Sequence, residues 1–358
     1  MSWVLAFAGF AALIILHEFG HFTAAKAVGM RVEKFSLFFG PMLVKVRRGE
    51  TVYGIGPIPL GGFVKISGMN PREELPPEVA PRAYFSQPVW KRIVVIAAGP
   101  AVNFIIAFAL IWGIYSIHGT YQPTPTIDQV AKGAPATGKL KPGDRIVAVD
   151  GRAGDFDTLR RQINTHGCPG SQTNGCRGAT PARVTVVRNG ERLTLAVVPR
   201  YDASQDRMLL GFSPHAILER DGVGQGAGHA VSSMWEFTHK TVTAIVGVFF
   251  SAERRKEVSG VVGSYETTRQ SFEFSTAQAL FILAVISLSL AVVNLFPFLP
   301  LDGGHIFWAL AEKVRGRSIP FEVMERASVV GLALVAFIFV VGFTNDIGRL
   351  TGEGFGVR

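Results

Sequence analysis

The stretch MSWVLAFAGFAALIILHEFGH, Met1 to His21, poses the question on which the fold turns. An apolar run long enough to enter a bilayer ends in two histidines and a glutamate. Titratable side chains are costly at bilayer depth unless they are paired, coordinated or turned toward water. On a helix, positions i and i+4 share a face, so His17 and His21 can direct two imidazoles at one ion while Glu18, beside them, serves as a base for water. A catalytic zinc takes three protein ligands and keeps one position for water. The HExxH pattern therefore asks for a third ligand from elsewhere in the chain. Its blander reading, two interfacial histidines, leaves the cost of burying them unexplained.

Working outward, the rest of the chain suits a membrane. Of 358 residues 48% are hydrophobic and 27 are Phe, the mean hydropathy is +0.29, and the apolar residues come in blocks, which predicts several spans. The windows run about Trp3 to Val28, Ile93 to Ile117, Ala279 to Leu301 and Ala327 to Phe343. Met1 to Leu16 lacks a basic leading segment and a small-residue cleavage site, so it is expected to remain as a helix.

The net charge of +9 raises nucleic-acid binding as a class. Yet Lys and Arg follow loop topology instead of striping one soluble domain, which excludes that class. No basic residue precedes the first window, whereas Arg31, Lys34, Lys45, Arg47, Arg48 and Lys65 lie between the first two. This asymmetry puts the N-terminus outside the cytoplasm. Lys313, Arg315, Arg317 and Arg326, between the last two windows, point to the same orientation. Both termini and the long middle segment, about His118 to Gln278, are then expected outside.

The organisation expected is as follows: residues 1–28 form a first transmembrane helix carrying HExxH, and 29–91 a cytoplasmic membrane-associated β region with its connector. There, short runs of Val, Phe, Ile and Tyr alternate with Gly and Pro as in β-hairpins. Residues 92–118 form the second span. Residues 119–203 form a small β-rich domain, in which GKLKPGDRIVAVDG reads as turn and strand, FDTLRRQIN as helix, and ARVTVVRNGERLTLAVV as a hairpin across Asn189 and Gly190. Residues 204–276 are expected to be a linker with an interfacial helix in MWEFTHKTVTAIVGVFF, a fifth span being the other reading. Residues 277–312 form a broken third span, 313–326 a cytoplasmic loop, and 327–358 the fourth span and tail.

The third ligand is sought in NLFPFLPLDGGH, Asn294 to His305, where two prolines and a DGG interrupt an apolar run. Such breaks are tolerated at membrane depth when buried in protein or lining a watery cavity. Asp302 is the candidate; His305 is chemically possible, and DGG as a plain helix boundary is the bland alternative. Asn103, within AAGPAVNF, either bonds a neighbouring helix or serves function. Cys168 and Cys176, in HGCPGSQTNGCRG, are expected to form a local disulfide outside the cytoplasm, two free thiols being the other reading.

HEFGH, GPAVNF and NLFPFLPLDGG together resemble the site-2 protease family of intramembrane zinc metalloproteases, in the bacterial branch that cleaves anti-sigma factors. FSLFFGP, RRGETVYGIGPIPLGGFVKISGM and KRIVVIAAGP are similar to its cytoplasmic β region, and Thr126 to Arg200 to its PDZ module, so the resemblance spans nearly the whole chain. It implies an α-helical polytopic membrane protein of about four transmembrane helices, with a membrane-associated cytoplasmic β-hairpin region and one extracytoplasmic PDZ-like β-rich domain. It further implies a bacterial cytoplasmic (inner) membrane location and one Zn2+ per chain on His17, His21 and Asp302, with Glu18 catalytic and Asn103 and Asn294 near the substrate. Gly61 and Gly62 would allow close backbone approach when an extended substrate adds as a strand.

The partner implied is a single-span membrane protein resembling an anti-sigma factor, already trimmed outside, with the lipid bilayer as second partner. The chain has room for one PDZ-like module, read as a size filter. A PDZ-bearing scaffold without catalysis is the alternative from another class, and zinc content separates the two. A transporter built on the same broken helix lacks an evident paired repeat.

Overall fold

A computed structural model describes residues 1–70, 72–352, 354 and 355. It opens with helix α1, Ser2–Ala27, apolar around its whole circumference, with Trp3, Val4, Leu5, Phe7, Leu16 and Phe19 exposed. An all-round apolar helix is stable only in lipid or deep in a core. Four strands follow: β1 Val32–Phe39, β2 Val44–Arg48, β3 Thr51–Ile55 and β4 Ile58–Ile66. Their order is β2-β3-β1-β4, leaving β4 with a free edge. β2 and β3 form the hairpin read in RRGE, but β1 runs parallel to β3 and antiparallel to β4. The expected succession of hairpins is thus corrected to one hairpin with β1 inserted beside it, a non-local pairing that alternation cannot reveal.

Helix α2, Val89–Gly113, starts after Pro88 and contains Pro100. The end of α1, the sheet and the first turns of α2 share one core, made by Ala25, Met30, Val32, Ile66, Tyr84, Val95 and Ile96. This core holds the sheet against the half of α1 that carries HEFGH.

A separate compact unit, Gly119–Arg220, follows. It comprises β5 Thr120–Val130, β6 Arg145–Val149, α3 Phe156–Asn164, β7 Ala182–Arg188, β8 Glu191–Val197, β9 Arg200–Asp202, β10 Arg207–Leu209 and β11 Phe212–Glu219. The main sheet has the order β11-β5-β6-β7-β8. Asn189 and Gly190, both at positive φ, turn β7 into β8 as a two-residue hairpin of this type requires. The Asp155 carboxylate accepts from the Thr158 N–H and caps α3, whose Leu159 and Ile163 enter the core with Ile127, Val184 and Val186. Cys168 and Cys176 are joined, with Cα atoms 6.1 Å apart. The unit extends past residue 203 because β11 returns to pair along β5.

The chain then forms α4 Val223–Phe250, α5 Ala252–Glu257, α6 Val261–Phe274, α7 Thr276–Asn294, α8 Asp302–Arg315 and α9 Phe321–Thr351. Among the described residues, four helices are long and apolar enough to cross a membrane: Ser2–Ala27, Val89–His118, Thr276–Asn294 and Phe321–Thr351. Residues 204–276 are more than a linker. α4 packs along α2 and α7 through Ala230, Met234 and Phe237, and α6 packs on α1 and α7. α9 overruns its apolar window at both ends. At the far end Asp346, fully buried, accepts from the Gly260 and Gly263 N–H groups, and the Asn345 amide donates to the Val258 carbonyl. These partners offset the cost of continuing the helix through polar residues.

Candidate metal centre

α1 and α2 cross where side chains are smallest. A Cβ on Gly20 would stand 2.6 Å from the Ala98 carbonyl oxygen, and one on Gly99 2.3 Å from His21 Nε2 and 2.9 Å from His17 Cε1. Only glycine at 99 leaves the two imidazoles their room. α8 meets them from the other side: after α7 ends at Asn294, the chain folds back so tightly that Cβ atoms on Gly303 and Gly304 would run into the backbone of Leu295 and Leu299. The break thereby delivers Asp302, first residue of α8, to the histidines.

The geometry is compact. His17 Nε2 and His21 Nε2 are 3.2 Å apart, and each lies 3.3 Å from Asp302 Oδ2. His21 Nδ1 donates to the Val95 carbonyl at 2.9 Å, which leaves its Nε2 as a lone pair. Two ring nitrogens and a carboxylate oxygen at these separations repel unless a cation or proton lies among them. Asp302 Oδ2 has no hydrogen-bond partner, nor does His17 Nδ1. Zinc at about 2.0–2.1 Å from each of its tetrahedral ligands requires donors about 3.3 Å from one another. The observed triangle fits, and among the described residues this is the one such group of three.

Glu18 lies beside the triangle and packs on the sheet, since a Cβ on Gly62 would stand 3.1 Å from Glu18 Cγ. His17, Glu18, His21, Asn294 and Asp302 line a cavity of about 1800 Å³, with Gly61 and Gly62 of β4 on its wall. Most of the remaining lining is apolar, supplied by α1, α6, α7 and α9. The cavity exceeds the roughly 300–1,000 Å³ typical of small-molecule pockets.

Two further candidates stand outside the donor triangle, His305 still on the cavity wall. Asn103 is fully buried, neither amide atom has a partner, and it is not part of the cavity lining; its backbone carbonyl accepts from Ser287 on α7. His305, one turn beyond Asp302, lies outside the triangle with its ring toward Tyr84. Sequence reading missed Gly20, Gly99 and the Val95 carbonyl. The small-residue run AAGP was the available signal for Gly99.

The chain matches the family model described as peptidase family M50 over residues 5–338. A protein of Nostoc sp. named "Putative zinc metalloprotease" is 31% identical, over 99% of this chain and 98% of that protein. The zinc metalloprotease Rip1 of Mycolicibacterium smegmatis is 31% identical over 93% of this chain and 94% of its own length. A similarly named protein of Rhizobium meliloti is 28% identical over 95% and 94%.

Proposed function

The chain belongs to peptidase family M50, the site-2 proteases, and is a zinc metalloprotease; from that premise we propose that His17, His21 and Asp302 hold the ion and that Glu18 is the catalytic base. The observation that carries this reading is the triangle of donor atoms with 3.2–3.3 Å sides, beside a carboxylate in a largely apolar cavity. Bound zinc supplies Lewis acidity, lowering the pKa of water toward neutrality and polarising a carbonyl oxygen. Glu18 takes a proton from the attacking water. It then gives that proton to the leaving amine nitrogen as the C–N bond breaks, so one water is consumed and a carboxylate and an amine are formed.

A helical substrate hides its peptide bonds in i to i+4 hydrogen bonds and must open locally to be cut. The free edge of β4, beside Glu18, suits an extended stretch added as a further strand. Asn294, at the end of α7 and facing the same cavity, can bond the freed backbone groups. The substrate class proposed is a single-span membrane protein, of the anti-sigma-factor kind, cut within or near its span in regulated intramembrane proteolysis. The charge asymmetry of the loops supports an inner-membrane orientation with residues 119–220 outside, where a PDZ-like unit restricts entry to substrates already shortened by an earlier cleavage.

The test is purified protein in lipid with a model single-span substrate. Glu18→Gln retains one zinc per chain while cleavage falls by about 10²–10⁴. Unchanged cleavage removes Glu18 from the chemistry, and unchanged zinc content in both His17→Ala and Asp302→Ala removes the ligand set.

A further inference from the structure

One face of α2 presents Arg92, Val95, Gly99 and Asn103 at steps of three, four and four residues, which a helix stacks into a single line. Val95 orients His21 through its carbonyl, and Gly99 makes room for both histidines. Arg92 is only 4% exposed, and its guanidinium NH2 group lies 2.7 Å from Glu312 Oε2 on α8. Ten residues separate Glu312 from Asp302, about 15 Å of helix. The same line of α2 therefore governs the histidines of α1 at one level and grips the aspartate-bearing helix at another.

We infer that the Arg92–Glu312 ion pair is a positioning device for the metal centre, fixing α8 along α2 so that Asp302 arrives in register with His17 and His21. Three observations carry this. Gly303 and Gly304 close-pack α8 on the segment after α7, Leu295 to Leu299, so this contact ties α8 to α7 and leaves its register on α2 to other groups. Beside the pair, packing is incomplete: a chamber of about 320 Å³ is bounded by Arg92, Glu312, Tyr84, His305 and Trp308. At the end of α8 that borders this gap fewer side chains fix the helix on α2, so the direct tie matters there. Finally, the guanidinium sits over the Phe85 ring with its Nε buried and unpartnered. With its arginine buried this deep the pair loses much of its attraction to desolvation, although the Glu312 side chain stays 22% exposed; its use lies in specifying one arrangement.

The inference rests on the proposed ligand set, and the experiment separates the two. Zinc affinity is read by chelator competition on the folded, purified full chain, with kcat and KM for a model substrate and the melting temperature of zinc-free protein measured alongside. Glu312→Gln is expected to weaken zinc by about 10-fold, the scale of groups that orient ligands, and to lower kcat at unchanged KM. Arg92→Lys, which keeps a cation for Glu312, is expected to recover most of the affinity that Arg92→Met loses. If Glu312→Gln and Arg92→Met lower only the melting temperature and hold zinc as the parent does, while His17→Ala has lost it, the positioning role is overturned. Zinc retained by His17→Ala as well overturns the ligand assignment instead.

Discussion

Two histidine–aspartate clusters in this chain look alike in composition and differ in what they satisfy. In residues 119–220, His166 is fully engaged: Nε2 bonds Asp150 Oδ2 at 2.7 Å and Nδ1 bonds Thr180 Oγ1 at 2.8 Å. Asp150 Oδ1 accepts from the Arg183 N–H and Oδ2 from Gln162. At the centre between α1 and α8, three donor atoms face one another at 3.2–3.3 Å, and Asp302 Oδ2 and His17 Nδ1 lack partners. A buried polar group without a partner costs about 1–3 kcal/mol. The first cluster has no such debt and is structural. The second is the donor set that the proposed ligand role would satisfy, and the contrast is that converging unsatisfied donors, more than residue types, point to a metal site.

Matched substitutions break or sharpen this contrast. Asp302→Asn keeps the shape and removes the charge; zinc affinity is expected to fall by more than about 100-fold, beyond what loss of an outer partner does, as read by metal analysis after dialysis. Gly99→Val drives side-chain atoms into both imidazoles, and a loss of about 10–100-fold in zinc affinity is expected with the helices still formed by circular dichroism. Asp150→Asn, the counterpart of the first change, is expected to leave zinc untouched while destabilising its own unit by about 1–3 kcal/mol, seen as faster hydrogen exchange confined to residues 119–220. Zinc lost in that variant would erase the distinction.

The smallest effect belongs to an acid satisfied at the surface. Arg82 beside Glu50, with Lys26 assisting, pulls the Glu50 carboxyl from its ordinary 4.5 down to about 2. The stabilisation is complete above the unfolded value and fades as pH falls toward 2. Glu50→Gln is therefore expected to melt slightly below the parent at pH 6 and level with it near pH 2, with zinc removed from both.

Much of this was legible in the sequence wherever the signal was local. His17 and His21 share a helix face by spacing alone, the Asn189-Gly190 turn follows from its residues, and the spans follow from apolar blocks. Asp302 could be singled out because Pro and DGG have no business in a lipid-facing helix. What escaped was pairing across distance: β1 slotting between β3 and β4, β11 returning to β5, and α4 lying along α2 and α7. The ends of α9 were misjudged for a related reason. Asn345 and Asp346 fall past the apolar window, in the stretch read as tail, yet their partners are backbone groups more than 80 residues earlier, which hydropathy cannot register. Asn103 was singled out from its type; its side chain is fully buried with both amide atoms unpartnered.

The glycine-lined edge of β4 carries a consequence for selectivity. A free strand margin offers hydrogen bonds to main chain, and main chain is the same in every protein. On the proposed reading, such a margin beside Glu18 would recognise exposed backbone whatever side chains it bears. The choice among membrane proteins then falls to the substrate's own helix: segments rich in weak helix formers surrender their internal bonds cheaply and are cut, while firmly wound ones pass by.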